Sequence, residues 1–164
     1  MDEKKKVLII DDDQGVCLVV QHALEATGEF VVIASNDIQA AESLCVREQP
    51  NLLLLDNIFP GSKRGSDVVK ILKGKEETKN IPIIILSGKG EMIYSPKKQK
   101  FDWLPNNPVA KSRGEIVEGK DPAVLAKAYG VDDYIAKPFT NEILLEVIRD
   151  VLKKRAKLSE SQNP

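Results

Sequence analysis

Short apolar runs alternate along the chain with stretches in which apolar positions recur every three or four residues. This alternation predicts a parallel sheet covered by helices on both faces. Val7-Leu8-Ile9-Ile10 is an unbroken apolar run, as a strand buried on both sides requires. A helix is predicted from Gln14 to about Thr27, ended by Gly28. Phe30 to Ala34 forms the second strand, after which Asn36 or Asp37 can cap a helix carrying Ile38, Ala41, Leu44 and Cys45. Leu52 to Leu55 is the third strand, with Asp56 at its carboxyl end and a helix over about Ser66 to Gly74 behind it. Ile81 to Leu86 is the fourth, stopping at Ser87-Gly88. Tyr134-Ile135-Ala136 is the fifth, and Thr140 can cap a last helix whose Ile143, Leu144, Val147, Ile148 and Val151 keep a helical period. Residues 1–156 read as one domain, and the polar stretch 157–164 as a flexible tail.

One interval is too long for this scheme. From Ser87 to Lys137 the chain advances 50 residues, where two loops and an average helix need only about 20–25. The expected fourth helix fits Asp121 to Gly130, through Val124, Leu125, Ala128 and Tyr129, which leaves about 89–120 as an insertion. The insertion holds the only tryptophan, Trp103, together with Tyr94 and Phe101, and its seven basic and four acidic residues make it locally +3. Phe101-Asp102-Trp103-Leu104, followed by Pro105, reads as one arm of a hairpin.

Composition narrows the functional classes. A 164-residue chain is long enough for one core, and 42% hydrophobic with 30% charged residues is ordinary for a globular domain. With a net charge of −1 there is no cationic excess to bind a phosphate backbone, so direct nucleic-acid binding is not expected. The first apolar run is four residues long and no other approaches the roughly 18 needed for a bilayer, so neither a signal peptide nor membrane insertion is expected. Cys17 and Cys45 lie in helical patterns without disulfide or metal spacing, which fits buried thiols in a reducing, cytoplasmic setting.

Ligand sites in open parallel sheets form at the carboxyl ends of strands. Four strands here end in reactive polar groups: Asp11-Asp12-Asp13 after the first, Asp56 after the third, Ser87 after the fourth and Lys137 after the fifth. If those strands lie side by side, three or more carboxylates converge on one lysine, a self-repelling cluster that is costly unless a divalent cation or the lysine neutralises it. Oxygen-only ligands with room for water favour Mg²⁺. The chemistry that suits the set is phosphoryl transfer to a carboxylate, with Asp56 as acceptor. Asp12 would ligate Mg²⁺ directly, Asp11 directly or through water, and the Ile58 backbone carbonyl would add an oxygen. Lys137 and the Ser87 hydroxyl would contact phosphoryl oxygens, and Gly88 leaves room for close approach.

Through Ile9-Ile10-Asp11-Asp12-Asp13, Leu54-Leu55-Asp56 with Pro60-Gly61, Leu86-Ser87-Gly88 and Tyr134-Ile135-Ala136-Lys137-Pro138-Phe139, the chain resembles the response-regulator receiver domain over nearly its whole length. The resemblance implies a doubly wound, flavodoxin-like five-stranded parallel sheet of order 2-1-3-4-5. It implies phosphoryl transfer from a sensor histidine kinase or a histidine phosphotransfer protein, followed by slow self-catalysed hydrolysis, in a signalling switch with no separate substrate. Ser87 and Tyr134 are the implied switch pair, the hydroxyl moving toward the phosphoryl group while the ring turns inward. The surface of the fourth helix, fifth strand and fifth helix then changes its affinity for a downstream protein. A cis Lys137-Pro138 peptide is also implied. The chain departs from the family in a slightly longer turn over Asp56 to Gly65, which leaves the start of the third helix open, and in the 89–120 insertion.

Plainer readings compete at several positions. Asp13 reads as the cap of the first helix, and His22, the only histidine and in mid-helix, as a surface or partly packed residue. A Mg²⁺-dependent phosphatase acting through an aspartyl phosphate on a small substrate is the alternative function. A haloacid-dehalogenase-like enzyme of that kind wants a second aspartate two positions after its nucleophile, where this chain has Ile58. Since no second folded region follows the last helix, a stand-alone receiver is expected.

Overall fold

The computed structural model describes residues 3–60, 64–87, 91–95, 100–104 and 130–161, with backbone alone at 87, 91–95 and 100–104. The elements in chain order are β1 (Lys5–Ile10), α1 (Gln14–Glu25), β2 (Phe30–Ser35), a 3₁₀ turn (Ile38–Ala40), α2 (Ala41–Glu48), β3 (Leu52–Asp56), α3 (Gly65–Lys73), β4 (Ile83–Ser87), β5 (Glu91–Ser95), β6 (Lys100–Leu104), β7 (Asp133–Ala136) and α4 (Asn141–Ser161). The main sheet has the order β2-β1-β3-β4-β7, and every pairing in it is parallel. With the hairpin strands left out of the count, this is the 2-1-3-4-5 order that the resemblance implies.

Alternation along the central strands divides the core into two layers. Val7, Ile9, Leu52, Leu54, Ile84, Leu86 and Ile135 pack with Cys17, Val20 and Leu24 of α1 and Leu144, Ile148 and Val151 of α4. Leu8, Ile10, Leu53, Leu55, Ile83, Ile85 and Tyr134 pack on the other face with α2 and α3. Strands buried on both faces explain why β1 and β3 read as unbroken apolar runs rather than alternating ones. Burial also holds both thiols protonated: the Cys17 thiol is pushed up to about 11, chiefly by burial with Asp11 adding to it, and that of Cys45 to about 12.

Caps set the element boundaries. The Asp13 carboxylate accepts from the Gly15 and Val16 amides at the start of α1, and Asp37 accepts from the Gln39 amide. Thr140 accepts from the Ile143 amide at the start of α4. β4 begins at Ile83 rather than Ile81, because Pro82 has no amide to donate to the ladder and offers only its carbonyl, to Leu53. Residues 157–161, expected to belong to a flexible tail, continue α4 to Ser161. That stretch, Lys157-Leu158-Ser159-Glu160-Ser161, contains no proline or glycine to stop the helix.

The insertion contains an antiparallel pair. β5 and β6 form a two-stranded sheet of their own, with Met92 opposite Trp103 and Tyr94 opposite Phe101. β6 is the predicted hairpin arm, extended by Lys100. The helix expected over 121–130 lies outside the described residues, apart from Gly130, as do Gly61, Ser62, Lys63 and Gly88. The Lys137-Pro138 peptide is cis.

Two glycines test different constraints. A Cβ on Gly65 would stand 2.3 Å from the Asp56 carbonyl oxygen, so α3 can approach β3 only with no side chain there. Gly28 has φ +76 and open space around its Cβ position. Gly28→Ala should therefore cost about 1–2 kcal/mol, the backbone penalty alone, whereas Gly65→Ala should cost on the order of 3 kcal/mol because helix and strand must separate. Urea unfolding of the two variants checks the order, which reverses if the α3–β3 contact is loose.

Candidate phosphoacceptor site

The carboxyl ends of β1, β3 and β7 bring the predicted polar groups into one pocket. Asp11 follows β1 directly, Asp56 ends β3 and Lys137 follows β7 directly. Pairing of Ile10 with Leu55 and of Ile9 with Leu54 sets Asp11 beside Asp56. The Lys137 Nζ donates to Asp11 Oδ2 at 2.5 Å and to Asp56 Oδ1 at 3.0 Å. Asp12 joins them, since one carboxylate oxygen from each of Asp11, Asp12 and Asp56 lies within 4.8 Å of the other two.

Backbone amides fix the two buried carboxylates. Asp11 Oδ1 accepts from the Asp13 amide at 3.0 Å, and Asp56 Oδ2 accepts from the Ile58 amide at 3.3 Å. The turn that presents the Ile58 amide is closed at its base. Gly65 donates its amide to the Asn57 carbonyl at 3.0 Å, Ile58 and Arg64 form an antiparallel bridge, and the Arg64 amide donates to Asp67 Oδ2 at 3.2 Å. The longer turn therefore does not displace α3, which starts at Gly65, one residue before its predicted position.

Electrostatics in the pocket are unbalanced. Asp11 is fully buried and Asp56 is 4% exposed, while Asp12 faces solvent. Burial pushes the Asp56 carboxyl up to about 6; Lys137 opposes this, and Asp11 and Asp12 add to it. Lys137 is moved the other way. Burial pulls its ammonium down, yet the hydrogen bond to Asp11 and the charge of Asp56 outweigh that and hold it above the usual lysine value. Three carboxylates against one ammonium leave the cluster two positive charges short of neutrality. That deficit, an all-oxygen donor set and the open side at Asp12 fit a hard divalent cation such as Mg²⁺.

Ser87 and Tyr134 occupy neighbouring strands. Ser87 ends β4 with Ala136 as its register partner, and Tyr134 pairs with Ile85 one strand over. Tyr134 is buried in the core layer beside α3, with 7% exposure. Two residues escaped sequence reasoning. Gly65 could have been singled out only by knowing how closely α3 approaches Asp56. Asn57 is 2% exposed, and its Oδ1 has no hydrogen-bond donor among the described residues. A polar residue directly after a buried strand was its only available signal.

Comparisons with known proteins bear on the family and the fold. Residues 7–101 match the family model of the response regulator receiver domain. The chain belongs to that family. Among curated relatives, it is 29% identical over 150 residues to the phosphate regulon transcriptional regulatory protein PhoB of Pseudomonas aeruginosa, covering 92% of this chain and 52% of that protein. It is 28% identical over 158 residues to the transcriptional regulatory protein CpxR of Escherichia coli, covering 96% and 53%. The chain thus spans about half the length of the curated relatives it matches. Among solved structures, a CheY-like receiver domain protein from Methanospirillum hungatei superposes with a TM-score of 0.67 at 21% identity, covering 94% of this chain and 98% of that one. NtrX from Brucella abortus superposes at 0.71 and 20%, covering 98% of this chain and 29% of that one. These structural likenesses concern the fold. No helix among the described residues is long and apolar enough to cross a membrane.

The raised Asp56 carboxyl has a measurable consequence in metal-free protein. Its folded value of about 6 lies above the ordinary aspartate value of 3.8, so between those limits the folded state binds more protons than the unfolded one. This contribution is fully present below the lower limit and is lost as pH rises through the upper one. Asp56→Asn should therefore stabilise the metal-free protein at pH 7 by on the order of 2 kcal/mol, with the gain shrinking toward pH 4. Urea titrations in chelator across that range check it; a gain independent of pH would show that Asp56 is not the strained carboxylate.

Proposed function

We propose that this chain is a phosphorylation-operated signalling switch in which Asp56 receives a phosphoryl group from a phosphohistidine on a sensor histidine kinase or histidine phosphotransfer protein. The observation that carries the reading is the position of the Lys137 ammonium, bonded at once to Asp11 and Asp56 beside the Asp12 carboxylate.

Asp11, Asp12, Asp56 and the Ile58 carbonyl would hold Mg²⁺, which supplies charge neutralisation for the transferred phosphoryl oxygens. An oxygen of Asp56 forms the new bond to phosphorus as the phosphorus–nitrogen bond of the donor histidine breaks and its electron pair returns to the imidazole. The Ile58 amide holds the acceptor carboxylate at Oδ2. Lys137 is tethered to Asp11, so it can remain in place while its bond to Asp56 is exchanged for one to a phosphoryl oxygen. The Ser87 hydroxyl takes a further phosphoryl oxygen, and Tyr134 reports that move to the protein-binding surface. Beside the pocket, Val16 and Val19 of α1 form with Pro138 and Phe139 an open, largely apolar groove that also reaches Asp13 and Lys137, giving a phosphodonor protein a route of approach.

Hydrolysis of the acyl phosphate would be slow and self-catalysed, with no separate substrate turned over. Ile58, half exposed and two positions after Asp56, offers no general acid for a phosphatase cycle. The curated relatives are transcriptional regulators about twice as long as this chain, and whether output here runs through a docked protein or through an attached module is a property of the whole protein. We favour a docked protein partner and no direct contact with nucleic acid, in keeping with the balanced charge. A cytoplasmic setting suits two buried, protonated thiols.

Acetyl phosphate with Mg²⁺ should add a single phosphoryl group, read by intact mass. Asp56→Asn should abolish the gain and Lys137→Met should slow it by on the order of 10²-fold. Chelation should block it. A gain that survives in the Asn variant would remove Asp56 from the role.

A further inference from the structure

Burying an amide oxygen without a hydrogen-bond donor is unfavourable, so such an atom in a folded protein points to a partner that arrives from elsewhere. Among the described residues Asn57 Oδ1 is one, on a residue 2% exposed and directly after the proposed phosphoacceptor. The backbone of Asn57 is fixed on both sides: its amide donates to the Leu86 carbonyl at 2.9 Å, and its carbonyl accepts from the Gly65 amide at 3.0 Å. Asn57 is therefore held at the end of β3 by bonds that do nothing for its side-chain oxygen.

The pocket beside it is short of donors as well as of positive charge. The Lys137 ammonium and the Asp13 and Ile58 amides all donate to carboxylate oxygens of Asp11 and Asp56. Asn57 adjoins this cluster twice, along the chain at Asp56 and across the sheet at Asp12. Ile10 is paired with Leu55, and two residues further along each strand stand Asp12 and Asn57, where neighbouring strands lie about 4.8 Å apart. The Asp12 carboxylate is itself part of the cluster, with an oxygen within 4.8 Å of oxygens of Asp11 and Asp56. A group that enters this pocket and satisfies it must bring positive charge to the carboxylates and a donor to the amide oxygen. A hydrated divalent cation brings both. Mg²⁺ gives up its waters reluctantly and keeps several when one or two carboxylates hold it, and a water bound to a cation is a stronger donor than a free one.

We propose that Asn57 Oδ1 accepts a hydrogen bond from a water carried on that cation, which makes Asn57 a positioning residue of the Mg²⁺ site. This inference rests on the reading of Asp11, Asp12 and Asp56 as that site. The same oxygen then acts in opposite directions in two states. Without the cation it is a buried acceptor with no donor and weakens the fold; with the cation it orients a bound water and strengthens the site. Partners of this kind, one step removed from the ion, typically change metal affinity by about 10–100-fold.

Asn57→Leu keeps the shape of the side chain and removes its amide, so it separates the two effects. Calorimetric titration of the unphosphorylated protein with Mg²⁺ should show affinity about tenfold weaker than in the parent. Urea unfolding in chelator should show the variant unfolding at a higher urea concentration than the parent, since the unsatisfied oxygen is gone. A side chain that only packs would lower both quantities. An unchanged Mg²⁺ affinity, or a fall in affinity together with a fall in metal-free stability, overturns the proposal. Asn57→Ala repeats the titration in case leucine is not accommodated, with the same tenfold loss expected and an unchanged affinity again overturning it. Failure of the underlying reading shows differently: the parent would bind no Mg²⁺, or Asp12→Asn would bind it as tightly as the parent.

Discussion

Asp11 and Asp56 stand at the ends of neighbouring strands with almost no access to water, and the Lys137 ammonium between them is the contact that makes their proximity tolerable. Two like charges less than 5 Å apart repel by about 3–4 kcal/mol even in a moderately polar protein environment. One lysine offsets part of that and no more, which is why burial still drives the Asp56 carboxyl upward. The sheet sets the spacing: each of the three residues sits at or just past the carboxyl end of its strand, so the register of β1 with β3, of β3 with β4 and of β4 with β7 decides whether they meet. A pocket kept short of positive charge is suited to taking up a divalent cation, and the same deficit makes it unstable without one.

Much of this was legible in the sequence, for identifiable reasons. Strands buried on both faces announce themselves as β-branched or leucine runs, and a lone charged residue directly after such a run can only sit at the sheet's edge. That reasoning leads to Asp11, Asp56 and Lys137 without any coordinates. Helix caps were readable at Asp13, Asp37 and Thr140 because the residue type and the following apolar period agree. The second arm of the hairpin, Glu91–Ser95, was not readable, since its short sequence carries no turn signal of its own and is identified by its pairing with Lys100–Leu104. The length of α4 was underestimated because exposed lysines and glutamates look alike in a surface helix and in an unstructured tail.

What sequence could not supply were residues whose importance lies in distance. Gly65 matters because the Asp56 carbonyl fills the space where a side chain would be, and Asn57 because its side-chain oxygen is buried with no donor among the described residues. Neither fact has a compositional signature. At the opposite end of the sheet, Asp132 illustrates the same point: it accepts the Ile83 amide and both the Nε and Nη2 of Arg155, tying α4 to the start of β4 and the approach to β7. The strand that delivers Lys137 is thereby anchored at one end by this ion pair and at the other by the two carboxylates.

The 50-residue detour between Ser87 and Lys137 bears on the order in which the molecule assembles. β1, β2, β3 and β4 join through short connections, whereas β7 can pair with β4 only after a much longer loop has closed, with Ile84 meeting Asp133 across 49 residues. Closing a longer loop costs more chain entropy, though only about 0.6 kcal/mol for each doubling, and such contacts form late. The lysine rides on that last strand. The added chain length between the two strands therefore raises the entropic cost of bringing the counter-charge to the acidic residues.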